Sequence, residues 1–303
     1  MNKVVLVGCG NVGMAYAYAL VNQKVYVDEL VLIDINKDKC IGEAMDLDHY
    51  MEYSHSEINV RVGDYKDCSD AKIVVIAAGA NQAPGESRMD LIDKNSKIFF
   101  SIINPIMASG FDGVIVVATN PLDVMTYQAL KYSRLKPNKV IGSGTTLDTS
   151  RLRYILSERT GVNPKNIEAY VIGEHGDSEF IPWSNVNIAY KKVSDIFRRD
   201  ELEQIEEEVR TSAYTIIDKK GATAYGIGMC LVMITNAILE DKNIVLPVSS
   251  WDSENQVCIS TPAIVGKNGV KEKIFIPLNE EETIKLINSI NVIKKATEDD
   301  EII

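Results

Sequence analysis

Residues 3–13 are Lys-Val-Val-Leu-Val-Gly-Cys-Gly-Asn-Val-Gly, a short apolar strand pattern that leads directly into a glycine-rich turn. The apolar residues do not alternate with polar ones, which is typical of a strand covered on both faces. The glycines of the turn have the spacing G-x-G-x-x-G, and they are Gly8, Gly10 and Gly13. A helical pattern follows, and a second strand pattern over 30–34 ends at Asp34. This order of elements predicts a parallel sheet whose first crossover starts at the glycine turn.

The rest of the first half repeats the alternation of apolar strands and amphipathic helices. The further predicted strands are 58–62, 72–77, 113–118 and 139–143. Strands that alternate with helices in this way form a Rossmann-type, doubly wound parallel sheet. A helix is predicted over 88–109, with a kink at Pro105. We therefore predict a first domain over residues 1–143.

The second half has longer helices and different strand patterns. Helices are predicted over 146–160, 200–219, 222–240 and 280–297. Strands are predicted near 168–173 and 183–190, and antiparallel strands over 244–278 with a hairpin turn at Asn268-Gly269. The chain is therefore predicted to have an α/β fold in which a mixed α+β domain, residues 144–303, packs closely against the first domain.

The composition of the 303-residue chain argues against several classes of protein. A net charge of −11 and the absence of a basic patch argue against nucleic acid as a partner. The first apolar stretch ends at Gly8 and is too short for a signal peptide or a membrane span, so we expect a cytoplasmic protein that binds no membrane. Five cysteines without a Cys-x-x-Cys pair indicate reduced thiols. No histidines and cysteines have the spacing of metal ligands, so we predict no metal site.

The glycine turn and Asp34 together have the pattern of a dinucleotide site. Gly8 permits a tight turn, Gly10 lets the backbone approach a pyrophosphate, and Gly13 lets the helix pack closely on the strand. The N-terminus of that helix faces the anion. Asp34 accepts hydrogen bonds from the adenosine ribose and repels a 2′-phosphate, which predicts NAD rather than NADP as the cofactor.

A histidine in a tight turn indicates acid–base chemistry. His175 is one of only three histidines and lies in Gly-Glu-His-Gly-Asp, residues 173–177. Asp148 and Arg151 share one face of a predicted helix, whereas Arg153 lies about 200° from Arg151 and points elsewhere. Because a nearby carboxylate stabilises an imidazolium, we predict that His175 is a proton donor oriented by Asp148.

Two loops follow strands of the parallel sheet and so lie at its carboxyl edge, where ligands bind. Residues 79–88 are rich in glycine and proline and end at Arg88. They predict a mobile loop that closes over substrate and brings a cation to a polarised carbonyl. Residues 118–121, Ala-Thr-Asn-Pro, place polar groups at the same edge for hydrogen bonds to ligand oxygens.

Along nearly its whole length the chain resembles the NAD-dependent L-lactate dehydrogenases of the lactate/malate dehydrogenase family, in their bacterial type. The motifs that carry the resemblance are Gly8-Cys9-Gly10-Asn11-Val12-Gly13, Ala78-Gly79-Ala80-Asn81-Gln82, Gly85-Glu86-Ser87-Arg88, Ala118-Thr119-Asn120-Pro121, Val140-Ile141-Gly142-Ser143-Gly144-Thr145, Leu147-Asp148-Thr149, Gly173-Glu174-His175-Gly176-Asp177 and Lys220-Gly221-Ala222-Thr223. The resemblance also implies a homo-oligomer, either a dimer or a tetramer.

The resemblance implies a role for individual residues of these motifs. His175 donates a proton to a keto oxygen as hydride arrives from NADH, and Asp148 orients it. Arg151 binds the substrate carboxylate, and Arg88 polarises the carbonyl after the loop closes. Further substrate contacts are implied for Gln82, Asn120 and Thr223. Cofactor contacts are implied for Gly8, Gly10, Asn11, Val12, Gly13, Asp34, Lys39, Tyr65, Gly79, Ala80, Ser101, Ala118, Thr119, Asn120 and Ser143.

The predicted substrate, pyruvate, depends on Gln82. Malate dehydrogenases of this fold have arginine at that position, where it pairs with the second carboxylate of oxaloacetate. A neutral glutamine leaves that carboxylate unpaired in a closed pocket, which costs several kcal/mol. A pocket discriminates weakly by size, since a methylene is worth about 1–3 kcal/mol. Other 2-hydroxy acids of the malate or 2-hydroxyisocaproate type therefore remain alternatives, as does a non-catalytic NAD-binding protein.

One position departs from the pattern of many bacterial members, which are activated by fructose 1,6-bisphosphate. They bind it between subunits with an arginine that matches Arg153 and a histidine seven residues before the catalytic one. This chain has Glu168 at the second position. Because a carboxylate repels a bisphosphate, we predict weak activation or none.

Overall fold

The computed structural model describes residues 1–80 and 88–297, and at Arg88 it describes the backbone alone. Within these residues the chain forms twelve strands and eight α-helices. The strands are β1 (Lys3–Val7), β2 (Glu29–Ile33), β3 (Asn59–Val62), β4 (Ile73–Ile76), β5 (Val114–Val117), β6 (Val140–Gly142), β7 (Ile167–Glu168), β8 (Asn187–Ile188), β9 (Lys191–Lys192), β10 (Ile244–Asp252), β11 (Val257–Gly266) and β12 (Gly269–Lys273). The helices are α1 (Asn11–Asn22), α2 (Lys37–Met51), α3 (Arg88–Ala108), α4 (Leu122–Ser133), α5 (Thr146–Thr160), α6 (Arg199–Lys220), α7 (Tyr225–Leu239) and α8 (Glu280–Thr297).

The first six strands form the predicted doubly wound parallel sheet, which is confirmed. Their order is β3-β2-β1-β4-β5-β6, and every neighbouring pair is parallel. All residues of β1, β2, β4 and β5 are buried, because helices cover both faces of the sheet. The strand order reverses between β1 and β4, which is where sheets of this class bind ligands.

Apolar side chains pack on both faces of this sheet. One cluster includes Leu6, Tyr16 and Ile234, and the other includes Phe99 and Ile115. Burial of each large apolar side chain stabilises the fold by about 1.5–3 kcal/mol. The first cluster joins α1 of the first half to α7 of the second half, so the two halves share a core.

The parallel sheet continues beyond β6 with the antiparallel strands β10, β11 and β12, giving nine strands. Ser249 of β10 pairs with Gly142 of β6, so residues on both sides of position 143 share one sheet. The boundary between residues 143 and 144 therefore stays a prediction. The predicted hairpin joins β11 to β12, but Gly269, with a φ of +86°, already begins β12, and the two-residue loop is Lys267-Asn268.

The predicted strand near 168–173 is wrong in extent, because β7 has only two residues. Beyond β7 the backbone of Ala169 and Val171 bonds to side chains of α5, whereas Ile172 and Gly173 form single antiparallel bridges with Phe180 and with Ser260 of β11. Ala169 O accepts a hydrogen bond from Arg153 Nε (3.0 Å), and Val171 N donates to Thr149 Oγ1 (2.9 Å).

The predicted strand over 183–190 is also wrong in extent. It begins as a 3-10 helix over Trp183–Asn185, and only the two residues of β8 pair as a strand. Ala189 and Tyr190 have positive φ and turn the chain into β9. β7, β8 and β9 form a small antiparallel sheet of their own.

The five predicted helices are confirmed with small shifts at their ends. α7 begins at Tyr225 rather than at residue 222, and α3 continues through Pro105. Among the helices of the described ranges, none is long and apolar enough to cross a membrane.

Candidate active site

The glycine turn between β1 and α1 leaves space for a ligand. Gly8 has a φ of +101°, and a Cβ on Gly13 would lie 1.9 Å from the carbonyl oxygen of Gly8. A Cβ on Gly10 would meet nothing within 4 Å, so the protein itself does not fill the space beside Gly10. Asn11 and Val12 begin α1, which has no side-chain cap, so its first N–H groups can bind an anion. This geometry fits a pyrophosphate.

Asp34 lies beside the glycine turn, directly after β2. Its Oδ2 accepts a hydrogen bond from Cys9 N (2.7 Å), and its Oδ1 accepts one from Asn36 N (2.9 Å). Each carboxylate oxygen keeps a lone pair for a ribose hydroxyl. Burial, Cys68 and Asp34 raise the pKa of Tyr65, so the predicted Tyr65 lies near Asp34. These residues fit the adenosine end of NAD.

A cavity of about 650 Å³ opens beside the glycine turn. It adjoins Gly10, Asn11 and Lys39, and it lies apart from His175. Lys39 is exposed near the start of α2. The cavity therefore includes some of the predicted cofactor residues but not the predicted proton donor.

Asn95 of α3 joins two loops at the carboxyl edge of the sheet. It is fully buried, its Oδ1 accepts a hydrogen bond from Ala80 N (2.8 Å), and its Nδ2 donates to Asn120 O (2.9 Å). Thr119 Oγ1 donates to Ala78 O (2.7 Å). The other predicted residues at this edge are Gly79, Ala118 and Ser143. The predicted cofactor residues that follow β4, β5 and β6 thus lie together.

Asp148 joins His175 to Arg151 at the start of α5. Its Oδ2 lies 2.7 Å from His175 Nδ1, and its Oδ1 accepts a hydrogen bond from Arg151 Nη1 (2.7 Å). The Asp148 and Arg151 side chains are only 2% and 12% exposed, so this is not a surface ion pair. The remaining nitrogens of Arg151 make no hydrogen bond to a described residue and can bind a carboxylate. His175 keeps 27% of its side chain exposed, so its Nε2 can face a ligand.

The surroundings of His175 keep its imidazole charged near neutral pH. Burial by itself lowers the pKa of His175, but the hydrogen-bonded Asp148 carboxylate outweighs burial, and the pKa of His175 rises to about 9. Burial by itself raises the pKa of Asp148, but His175 and Arg151 hold it below its ordinary value. The pair is therefore an imidazolium hydrogen-bonded to a carboxylate, which can protonate a keto oxygen.

Two helices fix the loop that carries His175. Asp123 of α4 accepts a hydrogen bond from His175 N at Oδ2 (2.7 Å) and one from Ser249 Oγ at Oδ1 (2.6 Å). Burial raises the pKa of Asp123 to about 6. Ser289 of α8 accepts a hydrogen bond from Glu174 N (2.6 Å). The backbone of the loop is thus held from both sides.

Glu179 adds a third titratable group beside His175 and Asp148. Ligand-type atoms of these three residues lie within 4.8 Å of one another. Such a group has the form of a metal site, although the guanidinium of Arg151 on Asp148 opposes a cation there. The absence of a metal site stays a prediction.

The remaining predicted residues have different positions. Thr223 lies two residues before α7, and a Cβ on Gly226 of α7 would lie 2.7 Å from Leu147 Cδ1 of α5, so the start of α7 packs against the start of α5. Ser101 is exposed on α3, and its hydroxyl donates to Ile98 O of the same helix (2.8 Å). Gln82 and the side chain of Arg88 lie outside the described residues.

The motifs do not predict four buried residues of the site: Asn95, Asp123, Glu179 and Ser289. Asp123 has a signal in the sequence, since it is an acid within an apolar helix start, Leu-Asp-Val-Met. Glu179 has a weaker one, because it lies four residues after His175. Asn95 and Ser289 lie among ordinary polar residues of amphipathic helices and have none.

Comparison with known families identifies the class of protein. Residues 2–142 match the model of the lactate/malate dehydrogenase NAD binding domain, and residues 145–301 match that of the lactate/malate dehydrogenase alpha/beta C-terminal domain. The chain belongs to the lactate/malate dehydrogenase family. The predicted fold class, the NAD cofactor and the assignment as an NAD-dependent oxidoreductase are confirmed.

Similar proteins within the family include L-lactate dehydrogenases. The chain is 48% identical to the L-lactate dehydrogenase of Bacillus pumilus (strain SAFR-032), over 97% of this chain and 96% of that protein. It is 49% identical to the L-lactate dehydrogenase of Geobacillus sp. (strain WCH70), over 97% of this chain and 95% of that protein.

Solved structures agree with this similarity. A lactate dehydrogenase from a Medee basin deep-sea metagenome library superposes with a TM-score of 0.95 at 48% identity, over 98% of each chain. The minor L-lactate dehydrogenase from Enterococcus mundtii, in its ligand-bound form, superposes with a TM-score of 0.97 at 39% identity, over 100% of this chain and 99% of that chain.

Proposed function

We propose that the protein is an L-lactate dehydrogenase that catalyses the reversible, NADH-dependent reduction of pyruvate to L-lactate in fermentation. The observation that carries the proposal is the buried Asp148, which holds His175 on one oxygen and Arg151 on the other, each at 2.7 Å. The identity of about 48% to curated L-lactate dehydrogenases over nearly the whole chain supports it.

His175 is the acid and base of the proposed reaction. NADH, when bound, supplies the hydride that reduces the keto carbon. His175 gives the proton on Nε2 to the keto oxygen, while its Nδ1–H stays bonded to Asp148 and keeps the ring oriented. In lactate oxidation the same nitrogen takes the hydroxyl proton. Asp148 stabilises the charged form of the ring in both directions.

Arg151 is proposed to bind the substrate carboxylate with the nitrogens that Asp148 does not use. A guanidinium binds a carboxylate through two parallel hydrogen bonds, which an ammonium cannot do. Arg88, the first residue of α3, is proposed to polarise the keto group. Asn120 and Thr223 contact the substrate from the sheet edge and from the turn before α7.

The cofactor contacts are proposed by position. Gly8, Gly10 and Gly13 leave room for the pyrophosphate at the start of α1, and Asp34 accepts hydrogen bonds from the ribose. The other proposed contacts are Asn11, Val12, Lys39, Tyr65, Gly79, Ala80, Ser101, Ala118, Thr119, Asn120 and Ser143.

Gln82 selects pyruvate over oxaloacetate in this proposal. A second substrate carboxylate beside a neutral glutamine would be buried without a cation, at a cost of several kcal/mol. A factor of ten in rate corresponds to about 1.4 kcal/mol, so the preference for pyruvate is large.

A panel of keto acids tests the proposed function. Initial rates of NADH oxidation are measured with pyruvate, oxaloacetate and 2-ketoisocaproate, and then with NADPH in place of NADH. We expect pyruvate with NADH to give the highest kcat/KM. A higher value with oxaloacetate or 2-ketoisocaproate would assign a related dehydrogenase, and no oxidation with any keto acid would indicate a non-catalytic NAD-binding protein.

We further propose that the enzyme is a cytoplasmic homo-oligomer, a dimer or a tetramer. Exposed apolar side chains support self-association: Tyr18 on α1, Ile41 and Met45 on α2, and Met229 on α7. All five cysteines are free thiols, which agrees with a reducing compartment. Light scattering of the purified protein measures the oligomer, and a monomer would contradict this proposal.

A further inference from the structure

Glu179 is a buried carboxyl group that the proposed reaction does not use. It is 7% exposed, and its backbone N–H donates to Gly176 O (3.2 Å), so it belongs to the same loop as His175. Its carboxyl group lies within 4.8 Å of ligand-type atoms of both His175 and Asp148. An ionised carboxylate that is buried in this way needs a cation to pair with.

The cations near Glu179 are already matched by other anions. With substrate bound, the imidazolium of His175 and the guanidinium of Arg151 face two carboxylates, that of Asp148 and that of the substrate. An ionised Glu179 would add a negative charge that the described residues of the site do not balance. The other titratable groups near Glu179 do not supply a cation. Asp123, which accepts a hydrogen bond from His175 N, is itself a carboxyl group, and burial keeps the Cys230 thiol neutral by raising its pKa.

Asp148 has room for one more hydrogen bond. Each of its oxygens accepts one N–H and keeps a second lone pair. A protonated Glu179 offers an O–H to the Asp148 carboxylate, and hydrogen bonds to ionised acceptors are the strong ones. Burial first, and then the Asp148 anion, raise the pKa of Glu179 to about 9, which agrees with a neutral carboxyl group at pH 7.

We propose that Glu179 is a positioning residue that stays protonated and donates a hydrogen bond to Asp148. This bond holds Asp148 ionised and in line with Nδ1 of His175, so Glu179 acts on the reaction through Asp148. The inference rests on the proposed function, because the charges counted above include the carboxylate of a bound keto acid.

Three variants test the role of Glu179 in catalysis. Glu179→Gln keeps a neutral donor of the same size, Glu179→Ala removes it, and Glu158→Gln changes an exposed glutamate on α5 as a control. We expect both glutamine variants to keep a kcat/KM for pyruvate near that of the parent. In Glu179→Ala the kcat/KM for pyruvate is expected to fall by about 10- to 100-fold, which corresponds to the loss of a hydrogen bond to a charged group. A Glu179→Gln protein as slow as Glu179→Ala would overturn the proposal.

Infrared spectroscopy gives a readout that a purely structural role would not change. A protonated carboxyl group absorbs separately from a carboxylate, so the difference between the parent and Glu179→Gln at neutral pH shows which form is lost. We expect the loss of a protonated-carboxyl band, and the loss of carboxylate bands would overturn the proposal. This spectrum needs no substrate, so it remains decisive for Glu179 even if the keto-acid panel contradicts the proposed function.

Discussion

Position 148 needs an aspartate and not another polar residue, because two donors must be accepted there. Both of its oxygens bind a cationic donor, His175 Nδ1 on one and Arg151 Nη1 on the other. Asparagine would offer one oxygen and one NH₂ group, so one of these donors would face another donor. In a buried site an unsatisfied charged group costs more than the hydrogen bond itself.

The proposed binding of the substrate carboxylate by Arg151 leads to a prediction for a variant of this residue. Arg151→Lys keeps the positive charge but loses the planar pair of donors, so the KM for pyruvate should rise by about 10- to 100-fold. Arg153→Lys is the control, because Arg153 bonds to Ala169 O and covers the Tyr170 ring instead. Steady-state kinetics of both variants measure this, and an unchanged KM in Arg151→Lys would remove Arg151 from the substrate site.

The raised pKa of His175 predicts the pH dependence of both directions. Pyruvate reduction needs the imidazolium, so its kcat/KM should be flat near neutral pH and fall as the pH rises through about 9. Lactate oxidation needs the neutral ring, so its kcat/KM should rise over the same range. The two pH profiles of kcat/KM, measured on one preparation, check this. A change in kcat/KM centred near pH 6.5, the ordinary pKa of histidine, would show that Asp148 does not stabilise the charged ring.

The raised pKa of His175 also makes the free energy of unfolding depend on pH. His175 binds its proton more tightly in the folded protein than in the unfolded chain. The stabilisation is therefore complete below about pH 6.5 and is lost as the pH rises through about 9.

The sequence predicts His175, Asp148 and Arg151 because local patterns reveal them: a glycine-flanked turn and an i, i+3 spacing on a helix. The carboxyl groups of Glu179 and Asp148 approach within 4.8 Å across 31 positions, and the contact of Asp123 with the His175 backbone spans 52. Neither contact has a local pattern, so only the folded chain reveals it.

Among the helices, α8 and α4 determine where the loop of residues 173–177, which carries His175, lies. Ser289→Ala leaves the buried N–H of Glu174 without an acceptor, so the free energy of unfolding should fall by about 1–3 kcal/mol. The kcat for pyruvate should also fall, because His175 follows Glu174 directly. Denaturant unfolding and kinetics measure both, with Ser253→Ala, at an exposed turn, as the control. A variant with unchanged stability and kcat would show that α8 does not hold the loop.

The surface formed by α5, β7 and β8 bears on regulation. Arg153 and Glu168 line one cavity there, of about 800 Å³. A carboxylate repels a sugar bisphosphate, and the Arg153 guanidinium already contacts Ala169 O and the Tyr170 ring. We expect fructose 1,6-bisphosphate to leave the pyruvate half-saturation nearly unchanged, and Glu168→Gln to gain sensitivity to it. A many-fold drop in half-saturation for the parent would contradict this.

The stretch 168–173 shows where element prediction reaches its limit. Its apolar residues fit a strand, but the backbone of Ala169 and Val171 bonds to Arg153 and Thr149 of α5. At these two residues side chains of α5 thus take the place of a strand neighbour, and a strand pattern carries no information about such partners. In β1, β2, β4 and β5 the pattern succeeds, because helices on both faces of the sheet require continuous apolar strands.

At the scale of the whole molecule, one sheet runs through both halves of the chain. The pairing of β10 with β6 joins positions more than a hundred residues apart, and no local signal specifies it. The parallel order of β1 to β6 is predictable, since crossover helices restrict it strongly. The glycine turn, the edge residues near Asn120 and the loop of His175 thus come from different parts of the chain.

The most direct test of the account is the rate of NADH oxidation by pyruvate in the parent, His175→Ala and His55→Ala. His55 is exposed outside the helices and serves as the control. Proton transfer by a positioned side chain is worth about 10²–10⁴-fold, so His175→Ala should lose at least about 100-fold in kcat/KM while His55→Ala matches the parent. A His175→Ala protein that reduces pyruvate as fast as the parent would contradict the account.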